Sequence, residues 1–311
     1  MNEKRLYKRY LWKNLPADLH WKFSHKKRNV TSFLGKKGIT IDYSNDILEK
    51  KIQSQEPFCA VRFGGTELSC FNDYEQIRLG MKDTFSEETR TKMKSNSGFY
   101  PTDDAHLKEY AEKSLKAFGG ADVLGIAGIH MEDYFAKKYA QNAEAIQYRA
   151  MEPLGGHWSH LLAGKKVLVV SPFGREINAQ YANREKLFLD DPSVLPEFTL
   201  ITLDSPLTLG DIEPTLPTFF DGFEEMTFAV NKLDFDIALV GCGAYGSLLC
   251  LYIKSIGKQA IQSGGGTMTL FGIMGKRWEN REYVTKHVNP NWIRPYSKPM
   301  GYEKVQEGCY W

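Results

Sequence analysis

A chain of 311 residues, 42% apolar and 25% charged with a formal net charge of +2, is long enough to bury a substantial core in one large domain or two smaller ones. That even balance excludes an acidic solvating protein and carries no global signature of nucleic-acid binding. The five cysteines, Cys59, Cys70, Cys242, Cys250 and Cys309, lack C-x-x-C spacing, which argues against a disulfide framework or zinc site and for a reducing, cytoplasmic setting. No run approaches the ~18 apolar residues of a membrane span.

The first thirty residues depart from this balance. Lys4, Arg5, Lys8, Arg9, Lys13, Lys22, Lys26, Lys27 and Arg28 are interleaved with Tyr7, Tyr10, Leu11, Trp12, Trp21 and Phe23. Basic heads among rings suit an anionic membrane surface, where each Lys or Arg contributes on the order of 1 kcal/mol. An arm whose aromatics pack on its own domain fits the same residues. The segment matches no nucleic-acid module, and no nucleic-acid partner is expected.

Beyond the arm, short apolar runs alternate with helical patterns. Strands are predicted over 58–63, 123–127, 166–170, 198–203, 237–240 and 259–262. Helices are predicted over 67–79, 87–95, 104–118, 132–140, 176–189 and 247–255, several after a Thr, Ser or Asp cap. The alternation predicts an open, mainly parallel, Rossmann-like α/β sheet with helices on both faces. The proline-rich stretch 203–217 reads as a long loop of the kind that shapes a site. The predicted organisation is a basic aromatic arm at 1–40, an α/β domain at 41–280 and a tail at 281–311 that packs on the domain without chemistry of its own.

In such sheets ligands bind outside the carboxyl ends of the strands, which singles out four strand-to-helix junctions. The first, Arg62-Phe63-Gly64-Gly65-Thr66-Glu67, sets a phosphate-binding arginine before a Gly-Gly turn and a glutamate able to act as base or hold a metal. The same residues also suit a plain turn, with Thr66 capping the helix and Glu67 complementing its dipole. The second junction, 171–176, offers Ser171 and Arg175 as phosphate or sugar contacts, with Gln180 and Arg184 four apart downstream. At the third, Gly241, Gly243 and Gly246 have G-x-G-x-x-G spacing, with Tyr245 inside the turn. Backbone N–H groups there can approach an anion at a helix start; tight turning and close helix-sheet packing are the rival use of such glycines. The fourth, Ser263-Gly264-Gly265-Gly266-Thr267 followed by Lys276 and Arg277, can present a nest of N–H groups to an anion. A dinucleotide fold also needs a carboxylate about twenty positions past its first glycine. Gln262-Ser263-Gly264 stands there instead, and no NAD is expected. His157 and His160 have no third metal ligand nearby in sequence and read as structural or surface histidines.

The motif VRFGGTEL, with GCGAYG and IGKQAIQSGGG later in the chain, resembles bacterial GT-D-type glycosyltransferases and related proteins of surface-polysaccharide biosynthesis, over residues 58–278. In that family the early motif reads approximately R-F-G-D-G-E, and its Asp-x-Glu portion is associated with metal-dependent binding of a nucleotide sugar. Arg62, Phe63, Gly64 and Glu67 match it; Gly65 stands where the family has Asp, and Thr66 where it has Gly. The resemblance implies a GT-D-like fold and transfer of a sugar from a nucleoside diphosphate to a polysaccharide or lipid-linked acceptor. On this reading Glu67 and Arg62 are catalytic. Gly64, Gly65, Thr66, Ser171, Arg175, Gly241, Gly243, Tyr245, Gly246, Gly264 and Gly265 bind substrate, and residues 1–30 bring the enzyme to the inner face of the membrane. With the family's Asp absent, Glu67 is a lone metal ligand, and dependence on Mn²⁺ or Mg²⁺ is expected to be weak or absent. The residues also leave open a polysaccharide-modifying transferase such as a pyruvyltransferase, an NAD-dependent oxidoreductase and a non-catalytic sugar-nucleotide-binding protein.

Overall fold

The computed structural model of the chain describes residues 2–24 and 30–311, and of 16–24 the backbone alone. Helix α1 (Glu3–Ser24), a hairpin of β1 (Ser32–Phe33) and β2 (Lys36–Lys37), and α2 (Ile41–Gln53) lead into β3 (Cys59–Val61). Next come α3 (Gly65–Arg78), α4 (Glu87–Ser97), α5 (Asp104–Ala117), β4 (Val123–Ile126), α6 (Glu132–Tyr139), β5 (Glu144–Gln147) and α7 (Tyr148–Met151). The second half runs through β6 (Lys166–Val170), α8 (Gly174–Tyr181), β7 (Thr199–Leu203), α9 (Phe219–Val230), β8 (Ile237–Val240), α10 (Tyr245–Ser255) and β9 (Gln259–Ile261). It closes with the short helices α11 (Thr267–Leu270) and α12 (Glu282–Thr285).

Among the described residues, seven strands form one wholly parallel sheet in the order β5-β4-β3-β9-β8-β6-β7. Each strand expected from the sequence is present within its expected range. The last strand in the chain, β9, lies in the middle of the sheet, paired with β3 on one side and β8 on the other. Side chains alternate between the two faces with the period of two that a pleated strand imposes. Cys59, Val61, Leu168, Val170, Ala238, Val240 and Ala260 pack into the layer built by α3, α5, α6, α9 and α10. Ala60, Val167, Val169, Ile237, Leu239 and Ile261 pack into the opposite layer, with α2, α7, α8, α11 and the end of the chain. Burial on both faces explains why the central strands read as continuous apolar runs.

Three elements of this architecture gave little sequence signal. Strand β5 has the sequence EAIQ, an edge strand with Ile146 as its single fully buried side chain. Helices α2 and α9 start at side-chain caps and bury an apolar stripe, Leu48 and Ile52 in α2 and Phe219, Met226 and Val230 in α9. The Thr40 hydroxyl accepts from Tyr43 N–H at 3.1 Å, and Thr218 and Asp221 exchange side-chain and backbone bonds in a capping box. The helix expected over 176–189 ends at Tyr181, where Asn183 turns its amide back to the Ala179 carbonyl at 3.1 Å and competes with the helical ladder.

The N-terminal arm packs in part on the domain, as one of its two sequence readings expects. Tyr7 and Tyr10 of α1 are buried in the domain core, their rings edge-on to Tyr134 at 5.1 and 5.5 Å. The Tyr7 hydroxyl donates to Asn72 at 3.0 Å, and Lys13 pairs with Asp133 at 2.7 Å. Trp12 is 73% exposed. The side chains of Trp21, Lys22 and Phe23 and the residues Lys26, Lys27 and Arg28 lie outside the described residues. Among the described residues no helix is long and apolar enough to cross a membrane.

Candidate active-site cleft

Parallel pairing points every strand of the sheet the same way, and the chain leaving each of the seven carboxyl ends borders one cleft of about 1260 Å³. Arg62 follows β3, Gly128 follows β4, Tyr148 follows β5, Ser171 follows β6, Ser205 closely follows β7, Gly241 follows β8 and Gln262 follows β9. The long loop expected over 203–217 contributes its 205–209 segment, pinned by the Thr208 hydroxyl on the Gly98 carbonyl at 2.7 Å. All the residues expected to be catalytic or to bind substrate border the cleft except Arg175; Gln180, Arg184 and Lys276 do not line it either. The Arg175 side chain is exposed and lies over the Tyr296 ring at 5.3 Å.

The turn after β3 holds the two residues expected to be catalytic. The backbone N–H of Arg62 donates to Gln262 Oε1 at 2.9 Å, which ties this turn to the one after β9. The Arg62 guanidinium lies over the Tyr148 ring at 4.5 Å, and its Nε is buried without a hydrogen-bond partner. Glu67 stands in the first turn of α3 and curls back over Gly64, where an added methyl would sit 1.7 Å from its Oε2. Its other oxygen, Oε1, accepts from the Ser97 hydroxyl at 2.7 Å. Ser97 also links the two halves of the cleft, because its carbonyl accepts from Ala244 N–H, in the turn after β8, at 3.0 Å. A serine at the end of a polar helix gave no sequence signal for that role.

The glycines of the turn after β8 are used for packing. A methyl on Gly241 would stand 2.5 Å from the Gly264 carbonyl oxygen; one on Gly243, at φ +60°, would stand 2.7 Å from the Ser97 carbonyl oxygen. Gly246 is similarly closed by the Gln262 amide at 3.0 Å. The Tyr245 ring stacks on Phe219 at 4.0 Å and its hydroxyl reaches towards Gly222 of α9, so this side chain supports the turn from within the core. By contrast, no atom lies within 4 Å of the methyl position on Gly65, and on Gly264, at φ +57°, Arg62 Nη2 alone does, at 3.6 Å. Of the glycines in the turns after β3, β8 and β9, these two have the most open space beside them.

The turn after β4 already has an anionic partner. Glu132, fully buried at the start of α6, accepts from the N–H groups of Ala127 and Gly128 at 3.1 and 2.7 Å. Burial raises its pKa to about 7 against the pull of those N–H groups and the longer-range Arg62.

The remaining wall is built by α7 and the chain after β9. Glu152 is buried and accepts from the hydroxyls of Tyr148 and Tyr283. Burial raises the pKa of both phenols, with the nearby Glu152 adding to it. Arg277, Arg281, Tyr283, Gln306 and Tyr310 all border the cleft, so the tail is a working part of it. Arg62, Lys92, Arg149, Arg277 and Arg281 face it with Glu67 and Glu152 as the lining carboxylates, a balance favouring an anionic ligand. Three more buried polar atoms without hydrogen-bond partners, Asn96 Oδ1, Ser205 Oγ and Tyr245 Oη, also belong to lining residues, and a polar ligand can satisfy such groups. Among the described residues no group of three His, Cys, Asp or Glu gathers to hold a metal, and Glu67 on its own does not make a divalent-cation cage. His157 and His160 are exposed, and His160 Nδ1 lies 2.6 Å from the His157 carbonyl.

Fold and cleft together define an α/β protein with a wide, electropositive ligand site on the carboxyl edge of a parallel sheet. No family model and no curated protein matches the chain. Among solved structures it is similar to one of domain of unknown function 1792, described as having a distinct glycosyltransferase fold. The identity is 13%, with 86% of this chain and 98% of the other covered and a TM-score of 0.41. A selenomethionine-substituted structure of the same domain shows 13% identity, 84% and 98% coverage and a TM-score of 0.35. Overlap at that level assigns neither an activity nor a ligand to this chain.

Proposed function

We propose that the protein is a glycosyltransferase that moves a sugar from a nucleoside diphosphate to a hydroxyl of a glycan or lipid-linked acceptor, in the synthesis of a bacterial surface glycan. One observation carries this: the Arg62 guanidinium, with an unpartnered Nε, stands beside the open backbone of Gly264 on the same cleft edge as the Glu67 carboxylate. A diphosphate satisfies the arginine and the open amides. The acceptor oxygen attacks the anomeric carbon while the bond from that carbon to the phosphate oxygen breaks. The electron pair leaves with the diphosphate, and the acceptor proton passes to Glu67. Stabilisation of the departing diphosphate falls to Arg62 and the backbone N–H groups, and dependence on Mn²⁺ or Mg²⁺ is proposed to be weak or absent. The acceptor, on this reading, is met at the cytoplasmic face of the membrane.

Thermal melts with UDP-, GDP- and CMP-sugars and with NAD(H) test the donor class. A shift with at least one sugar nucleotide and none with NAD(H) is expected; the reverse pattern overturns the proposal. Arg62→Ala and Glu67→Ala are expected to remove transfer or donor hydrolysis while the unliganded melt stays close to wild type. Near-wild-type turnover in both variants removes these residues from the mechanism.

A further inference from the structure

Arg277 is the second cation of the turn after β9, and the proposed mechanism makes no use of it. Its guanidinium lies 4.9 Å from the Tyr310 ring and 5.7 Å from the Trp278 ring. Its Nη atoms reach neutral partners only: the Gln306 amide oxygen, Cys309 Sγ at 3.2 Å and the Tyr310 hydroxyl at 3.5 Å. No carboxylate forms an ion pair with it among the described residues, although it is half-buried. The same two rings close over the middle glycine of the turn. A methyl on Gly265 would stand 2.5 Å from the Tyr310 ring and 2.9 Å from Trp278. Arg62 approaches that turn from its other end, at Gly264. Two arginines without carboxylate partners therefore flank one glycine turn, and both face the cleft.

We propose that Arg62 and Arg277 form a two-arginine clamp for a pyrophosphate group beside Gly264, completed by Gln306 and Tyr310, which hold the Arg277 fork in place; Gly265 and Gly266 are covered by the Tyr310 and Trp278 rings and by Glu152. The position of Tyr148 supports a shared anion, because both Arg62 and Arg277 pull down the pKa that burial raises. The one lining carboxylate at this wall, Glu152, is held by the hydroxyls of Tyr148 and Tyr283 and acts on Arg277 through space, so two guanidinium charges face one carboxylate and one positive charge is in excess. Planar guanidinium forks bind phosphate oxygens in pairs, which a lysine does not reproduce. This inference deepens the transferase reading by assigning the phosphate-binding half of the donor site, and it involves the tail that the sequence left without chemistry.

The test is calorimetric titration of the full chain with inorganic pyrophosphate and with UDP, for wild type, Arg62→Gln and Arg277→Gln. Each variant is expected to weaken pyrophosphate at least tenfold, with a shallower salt dependence because one fewer cation is engaged. If Arg277→Gln leaves affinity and salt dependence unchanged, the clamp is overturned, while the transferase proposal stands on its own turnover assay. If pyrophosphate binds through both arginines but no sugar nucleotide shifts the melt, the clamp is supported and the transferase proposal fails. Should Arg277→Gln not fold, Arg277→Lys examines the same contact. Keeping the charge but losing the fork should weaken pyrophosphate threefold or more, and wild-type affinity in that variant overturns the clamp.

Discussion

Two glycine-rich turns at the edge of the sheet look alike in sequence and differ in use. In the turn after β8 the space beside each fingerprint glycine is occupied by protein: the Gly264 carbonyl at Gly241, the Ser97 carbonyl at Gly243 and the Gln262 amide at Gly246. In the turn after β3, Gly65 faces open space, and Gly264 after β9 faces only the tip of Arg62. Spacing identifies a tight turn. What lies beside the missing Cβ decides whether the turn packs or binds. The turn after β4 is a third case, since Glu132 already supplies its N–H groups with a carboxylate.

The largest effect should come from adding a methyl at each kind of position. Gly241→Ala drives a Cβ against a backbone carbonyl and is expected to cost roughly 3 kcal/mol of stability, read as a lower urea midpoint. Gly65→Ala, at an open first-turn position of α3, should leave stability within about 1 kcal/mol of wild type while weakening sugar-nucleotide binding about tenfold, or ~1.4 kcal/mol. A stable Gly241→Ala, or a Gly65→Ala that binds normally, would break the distinction between the two turns.

Ser97 joins the packed turn to the open one, and its substitution should have an intermediate effect. Ser97→Ala removes the hydroxyl that holds Glu67 Oε1 and is expected to cost about 1 kcal/mol in stability. Turnover should fall several-fold with little change in KM, and Ser97→Thr should restore most of it. A change confined to KM would assign Ser97 to ligand binding instead.

The smallest effect concerns the turn that is already filled. Glu132 holds its proton more tightly in the folded chain, to about pH 7, than at its ordinary value of 4.5. Between those values the folded state binds more protons than the unfolded state, and stability contributed by this group falls as pH rises through the window. Glu132→Gln should flatten the difference in urea midpoint between pH 5 and pH 7.5. An unchanged pH slope would show that this carboxyl does not govern it.

The strands of the sheet centre were legible because burial on both faces leaves uninterrupted apolar runs, as in 166–170 and 237–240. Strand β5 was not, because an edge strand with one buried side chain has no run to show. At the site, Arg62 and Glu67 could be found from their turn and helix start. Ser97, Tyr148, Tyr283 and Tyr310 could not, since each reaches the cleft through long-range packing that no local spacing encodes. The G-x-G-x-x-G spacing marked a real turn, in which Gly241 and Gly243 make room for neighbouring backbone and Gly246 for the Gln262 side chain, and Arg175 stands beside Tyr296 outside the cleft. The arm is also part packing: Tyr7 and Tyr10 enter the core while Trp12 stays exposed.

The central place of β9 sets an order on biosynthesis. Within the sheet the β3–β5 half and the β6–β8 half share no ladder and are joined through this strand, while the Ser97–Ala244 and Tyr100–Phe219 backbone bonds link them outside it. While the ribosome is still making the chain before residue 259, each half carries an unpaired sheet edge that invites wrong partners. The tie between Arg62 and Gln262 forms only after that strand has been released and inserted. A nascent chain stalled upstream of it should therefore expose two sheet edges to chaperones, and ligand capacity should arise in one late step.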